Sequence, residues 1–386
     1  MKMLLATHHC LNLGGSELFL YTLAKYLKKN YHHDVIVYSP FITGILREKI
    51  KKLGVKVVND LRLIKNIKFD VIHLSHNIIA YEARNYFPDI PAIFVSHGPL
   101  PFLEQPPIHD LNIQFFVAVS EEVKENLVSK GIPLDKIKII RNPIDTERFR
   151  PYHSLQNNPK NILMIPSMHV NISQLNIVKQ AAKKLKLTVE VINGKSRIWD
   201  IEKKINNSDI IIGYGRIIIE ALLCRKAAIV FDYLGGDGMV SSQNFHILKR
   251  KNFSGRTFRK FYNVDELVAE IAKYNVSDIK LCYQLAYKEF NAVNITQKFV
   301  DIYNKAISHF QYKKFQNDFK YIDFICKVAI ESRQPFYCCF DELNYIQNLE
   351  GWKLLNKCYR IADKILPMGS RRRKVVERIL KWINKM

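Results

Sequence analysis

The apolar residues of this chain come in short consecutive runs, and each run is followed by a stretch whose apolar positions repeat at helical spacing. A strand that is apolar at every position must be covered on both faces, and helices crossing over a parallel sheet provide that cover. The spacing predicts strands over 2–7, 34–38, 55–58, 70–74, 92–96, 115–119 and 138–140. A second series follows over 161–165, 188–192, 209–212 and 227–231. Between the two series lies a polar stretch holding Pro151 and Pro159, which reads as a connection. The expected fold class is α/β, with one Rossmann-like domain over 1–155, a second over 156–312, and a C-terminal helical extension over 313–386. With 386 residues, 48% hydrophobic and 25% charged, the chain is long enough for two such domains and too mixed to be disordered.

A net charge of +23 calls for an anionic partner: nucleic acid, a nucleotide-type substrate or the phosphate headgroups of a membrane. Much of that excess lies in 351–386, where eleven Lys or Arg face only Asp363 and Glu377. Leu355, Tyr359, Ala362 and Leu366, then Val376, Ile379, Leu380 and Ile383, keep helical spacing on either side of Pro367 and Gly369. Two basic amphipathic helices are expected, suited to an anionic membrane surface, the alternative being that they dock on the protein body or a second subunit. The tail carries no recognised RNA or DNA module, so nucleic acid is not an expected partner. Seven cysteines form no Cys-x-x-Cys pair and do not alternate with histidine at zinc-ligand spacing, so neither a disulfide framework nor a metal site is expected. The amino terminus is apolar over too short a stretch for a signal peptide, and no run approaches the roughly 18 residues of a membrane span. A cytoplasmic chain, peripheral on the inner face of the plasma membrane, is the expectation.

Gly14-Gly15 stands between the first strand and the first helix. Missing side chains there let a ligand approach free amides and the positive end of the helix dipole, although a tight turn at positive φ would select the same residues. His97 follows the predicted strand 92–96, at the carboxyl edge where open parallel sheets bind ligands; a hydrogen-bonded structural imidazole is the alternative. His73 and His76, at the end of the preceding strand, are second choices, read as structural before reactive. The densest constellation is Gly213-Tyr214-Gly215-Arg216, a helix carrying Glu220, and the glycine-rich 235–238 loop. Arg216 and Glu220 are four apart and share a helix face. Arg216 at a helix amino terminus suits a diphosphate, and Glu220 one turn deeper can accept hydrogen bonds from vicinal ribose hydroxyls. The alternative is a solvated ion pair worth roughly 0.3 to 0.5 kcal/mol. Arg256 is a further candidate cation for the same crevice.

Taken in order, Gly-Gly-Ser-Glu, Phe-Asp-Val-Ile-His, Val-Ser-His-Gly, Val-Ser-Glu-Glu-Val, Arg-Asn-Pro-Ile-Asp-Thr-Glu-Arg-Phe and Glu-Ala-Leu-Leu-Cys-Arg-Lys-Ala-Ala-Ile-Val resemble glycosyltransferase family 4 over about residues 1–312. The resemblance implies a GT-B fold, two Rossmann-like domains facing across a cleft. It implies a nucleotide-diphosphate sugar as donor substrate, no other cofactor, no catalytic metal, and transfer with retention to a glycan or lipid-linked glycan in surface polysaccharide or lipopolysaccharide synthesis. Gly14 and Gly15 would approach the donor phosphate, with Asn142 of the Arg-Asn-Pro motif also on the donor side. His97 would lie beside the reacting sugar, and Glu220 would be the second Glu of the Glu-x7-Glu motif. Ile212 stands where the first Glu belongs, and 166–171 carries neither the Arg nor the Lys that clamps the diphosphate. Arg216 is therefore assigned the missing charge, the alternative being a catalytically inactive relative.

Overall fold

The computed structural model describes residues 1–107, 110–167, 172–192, 198–233 and 235–312, which lie within one compact unit. The expected tail helices over 313–386 fall outside the described residues.

The first lobe is built on seven strands in the spatial order Lys56–Val58, Asp34–Tyr38, Lys2–Ala6, Val71–Ser75, Ala92–Ser96, Ile113–Ala118, Ile137–Ile139. All neighbours are parallel. The direction of winding reverses between Lys2–Ala6 and Val71–Ser75, and the carboxyl ends of strands at such a switch open a crevice. The second lobe has five strands in the order Thr188–Val191, Asn161–Met164, Ile210–Gly213, Ala227–Asp232, Gly235–Met239, with the last antiparallel. Its switch lies between Asn161–Met164 and Ile210–Gly213.

The consecutive apolar runs have a direct structural cause. Leu163, Ile211, Ala228 and Val230 enter one core cluster with helix Arg216–Leu223, while Ile162, Met164, Ile210, Ile212, Ala227 and Ile229 enter another with helix Ile172–Lys184. Alternate residues of each strand thus serve opposite faces, and both faces are dry.

Two boundaries differ from the sequence expectation. Ile144 and Phe149, placed in the first domain by sequence, belong to the second lobe's core. The chain crosses over as it leaves Ile137–Ile139, and the proline-bearing polar stretch lies after the crossing. The last described helix, Ala292–Ser308, returns to the first lobe: Phe299 meets Phe19 edge-on at 5.6 Å, and Tyr303 OH lies 2.7 Å from His73 Nδ1. An apolar helical stripe announces a buried face, but periodicity does not say which sheet it covers. The predicted glycine loop 235–238 is instead the edge strand Gly235–Met239, with Gly236 close against Tyr262 and Gly238 against Glu270.

Candidate active site

At the second switch point, the strand Ile210–Gly213 passes into helix Arg216–Leu223 through Gly215. Gly215 holds φ +62° and ψ −130°, which a side chain resists, and its N–H donates to Phe253 O at 2.7 Å. This turn sets Arg216 on the wall of a cavity of about 260 Å³ that both lobes line. Arg216 Nε donates to Glu220 Oε1 at 2.7 Å, Nη1 to Pro143 O at 3.2 Å, and Nη2 to Thr22 Oγ1 at 3.4 Å. The two side chains are 10% and 3% exposed, so this is no solvated surface pair. Burial presses the Arg216 pKa below its ordinary value, and the Glu220 carboxylate opposes that shift. Removing either partner would leave a charge in a dry wall.

The facing wall comes from the first lobe. Gly15 opens helix Gly15–Tyr31, and a Cβ placed on it would meet no protein atom within 4 Å. Neither Gly14, at φ −77°, nor Gly15 lies at positive φ, so the tight-turn alternative does not hold. Gly14 differs from its neighbour: it does not line the cavity, and a Cβ there would strike the Glu17 carboxylate at 2.2 Å.

His97 reaches the cavity from the end of strand Ala92–Ser96. Its ring stands edge-on to Phe19 at 4.6 Å, and its Nε2 lies 3.4 Å from Ser75 Oγ. Burial lowers its pKa to about 4, the Glu104 charge opposing and the His76 and Arg216 charges assisting, so the imidazole is neutral at pH 7. Its backbone N–H donates to Glu104 Oε2 at 2.7 Å, and Glu104 Oε1 faces His76 Nε2 at 3.4 Å. His76 Nδ1 accepts the N–H of His8 at 3.1 Å, which leaves Nε2 to carry the proton toward Glu104. Burial alone would push the Glu104 carboxyl up, but His76 and His97 outweigh it and hold it down at about 2.

The cavity also brings together Tyr214, Gly215 and Asn142, whose Nδ2 donates to Asn252 Oδ1 at 3.2 Å. It excludes three of the sequence candidates. Gly213 is a packing position, where a Cβ would fall 2.6 Å from Ile217. Arg256 is committed to a two-pronged pair with Glu122 of the first lobe, through Nε at 3.0 Å and Nη2 at 2.5 Å. Gly14 is the third. His73 and His76 do not line the cavity; His73 Nδ1 lies 2.7 Å from Tyr303 OH, and His76 Nδ1 accepts from His8 N–H.

Glu104, Arg148 and Trp199 line the cavity without a role assigned to them by sequence. Arg148 belongs to the Arg-Asn-Pro motif; it donates from Nε to Glu202 Oε2 at 2.7 Å and lies 4.5 Å over the Trp199 ring. Tyr21 of the first lobe meets the same indole edge-on at 5.0 Å. A lone acid among the prolines that follow a strand's carboxyl end is the signal that could have pointed to Glu104. Trp199 has no comparable signal, since its contacts come from distant parts of the chain.

The family model Glycosyltransferase Family 4 matches residues 13–148. The chain is similar to a crystal structure of Anabaena Alr3699/HepE in complex with UDP and glucose, with 14% identity and a TM-score of 0.57 over 79% of this chain and 99% of that one. It is similar to AviGT4, a glycosyltransferase involved in avilamycin A biosynthesis, with 13% identity and a TM-score of 0.51 over 81% and 99%. It is also similar to a UDP-N-acetylglucosamine 2-epimerase, with 14% identity and a TM-score of 0.50 over 82% and 99%. No curated protein matches the sequence. Two α/β lobes enclosing a shared cavity, a last described helix that returns to the first lobe and these likenesses together establish that the chain has the GT-B fold, with a family 4 match over residues 13–148.

Proposed function

We propose that this protein is a retaining, metal-independent glycosyltransferase that moves a sugar from a nucleotide-diphosphate donor to a glycan or lipid-linked glycan acceptor. The observation that carries the reading is the buried Arg216–Glu220 pair at the second-lobe switch point, facing Gly15 and a neutral His97 across one cavity. Protein partners take three N–H groups of Arg216, and a guanidinium has five, so donors remain for a diphosphate. Glu220 would accept from the ribose hydroxyls, and His97 would hold a hydroxyl of the transferred sugar. In front-face displacement the acceptor oxygen bonds to the anomeric carbon as the carbon–phosphate oxygen bond breaks, and the departing diphosphate oxygen takes the acceptor's proton. Arg216 then neutralises the charge that grows on the leaving group, a contribution worth roughly 3 to 4 kcal/mol. The acceptor side and the pathway, surface polysaccharide or lipopolysaccharide synthesis, belong to this proposal, as does membrane attachment through 351–386. Among the described residues no helix is long and apolar enough to cross a membrane.

A thermal-shift screen across UDP, GDP and their sugars tests donor binding. A ligand at 100 times its Kd should add about 2.7 kcal/mol of stability, and no shift with any sugar nucleotide would remove the reading. The absent Arg/Lys clamp favours a second reading, a nucleotide-binding scaffold without activity. Donor binding without donor consumption or sugar transfer would select it. Gly15→Leu separates fold from site: its side chain would extend into open cavity, so the ligand-free Tm should stay within a few degrees while the nucleotide-induced shift disappears. An undiminished shift would mean that nothing binds against that helix end.

A further inference from the structure

We propose that the rim of the cleft is a docking surface for an anionic lipid bilayer, formed by the 99–102 and 258–261 loops. The first loop lies between His97 and Glu104, both of which line the cavity, and leaves Leu100 63% and Phe102 66% exposed. The second leaves Phe258 48% and Phe261 67% exposed, with Arg259 and Lys260 exposed between them. Isolated surface apolar residues need no explanation, but large ones paired in two neighbouring loops do. The chain next to each loop is fastened to helix Glu121–Ser129: Asn126 Nδ2 donates to Gln105 Oε1 at 3.0 Å, three residues past the first loop, and Arg256, two residues before the second, forks onto Glu122. Asn126 and Glu122 are four residues apart and share a helix face, so both attachments lie on the same side of that helix.

The loops are also braced. Gln105 Nε2 donates to Pro99 O at 2.9 Å, Asn77 Nδ2 to Phe102 O at 2.8 Å, and Asp237 Oδ1 accepts from Phe258 N at 2.7 Å. The exposed side chains are therefore held outward on a rigid frame. Leucine and phenylalanine tips beside prolines offer no hydroxyl or carboxylate for sugar recognition, whereas apolar tips next to cations match the interface of an anionic leaflet. A second copy, at +23, or the basic 351–386 segment would bring like charge to Arg259 and Lys260. Seated this way, a lipid-linked acceptor would enter directly beside His97. That last clause rests on the transferase reading; the docking itself does not.

The test is flotation of the full-length protein with phosphatidylcholine vesicles with and without phosphatidylglycerol. Wild type should float with the anionic vesicles and not with the neutral ones. Arg259→Glu/Lys260→Glu should lower partitioning at least about 30-fold, the equivalent of two cations at about 1 kcal/mol each. Phe258→Ser/Phe261→Ser and Leu100→Ser/Phe102→Ser should each lower it about tenfold or more, with unchanged Tm because the side chains are exposed. Wild type that stays at the bottom of the gradient overturns the proposal. So does undiminished flotation of all three variants, which would assign lipid binding to the 351–386 segment. No sugar nucleotide enters this experiment, so its failure leaves the transferase reading standing, and failure of the nucleotide screen leaves the docking surface standing.

Discussion

Replacing Arg216 with alanine should lower sugar transfer by about two to three orders of magnitude, the loss expected when a buried donor to the leaving group is removed. The same change strands Glu220, 3% exposed, without its ion partner, at a cost of roughly 3 to 5 kcal/mol in stability. The two effects are separated by Arg216→Lys. Lysine keeps a positive charge near Glu220 and should restore much of the Tm. A single ammonium lacks the planar fork that spans Glu220, Pro143 and Thr22 with donors to spare, so turnover should stay well below wild type. Thermal unfolding beside single-turnover rates with the identified donor is the measurement. A folded Arg216→Ala protein with near-normal turnover would remove Arg216 from the chemistry.

Acidification should destabilise the fold steeply. Burial holds His9 and His97 down at about 4 and His73 at about 3, so all three are neutral in the native protein at pH 7. Once unfolded, each regains a pKa near 6.5 and takes up a proton as the solution is acidified. Depressed native values mean that their contribution is present above about pH 6.5 and is lost as pH falls toward 4, and toward 3 for His73. Between pH 7 and pH 5 the loss is roughly 2 kcal/mol per imidazole. Glu104, held at about 2, adds its own loss in the same direction below the ordinary carboxylate range. Urea titrations at the two pH values measure the difference. His73→Asn, whose amide can either accept from or donate to Tyr303 OH, should remove about a third of it. A flat profile from pH 7 to pH 5 would contradict the burial of these rings.

Much of the architecture could be read in advance because the signals were local. A strand apolar at each position, as in Met3 to Ala6, can be satisfied only between two helical layers, and Ser120 before Glu121-Glu122 announces the helix whose Val123 N–H it caps at 3.2 Å. The Arg216–Glu220 contact was legible for the same reason, since four residues along a helix is one turn. Glu104 and Trp199 were not. Their neighbours, His76 and His97 for the one and Tyr21 and Arg148 for the other, are assembled by strand order and lobe packing, which leave no periodic trace in the chain.

Arg256 shows the limit most clearly. Near Asn252 in sequence, it reads as another cation for the crevice, yet it spends its guanidinium on Glu122, which lies 134 positions away. The return of Ala292–Ser308 to the first lobe is the same kind of fact. Short-range patterning dictated layers, helix faces and caps, because those depend on neighbours within one or two turns. Which charges face the cavity and which are consumed in joining the lobes was settled by the closing of two sheets over one space, where long-range partners compete for each buried group and the desolvation cost of leaving one unpaired selects the outcome.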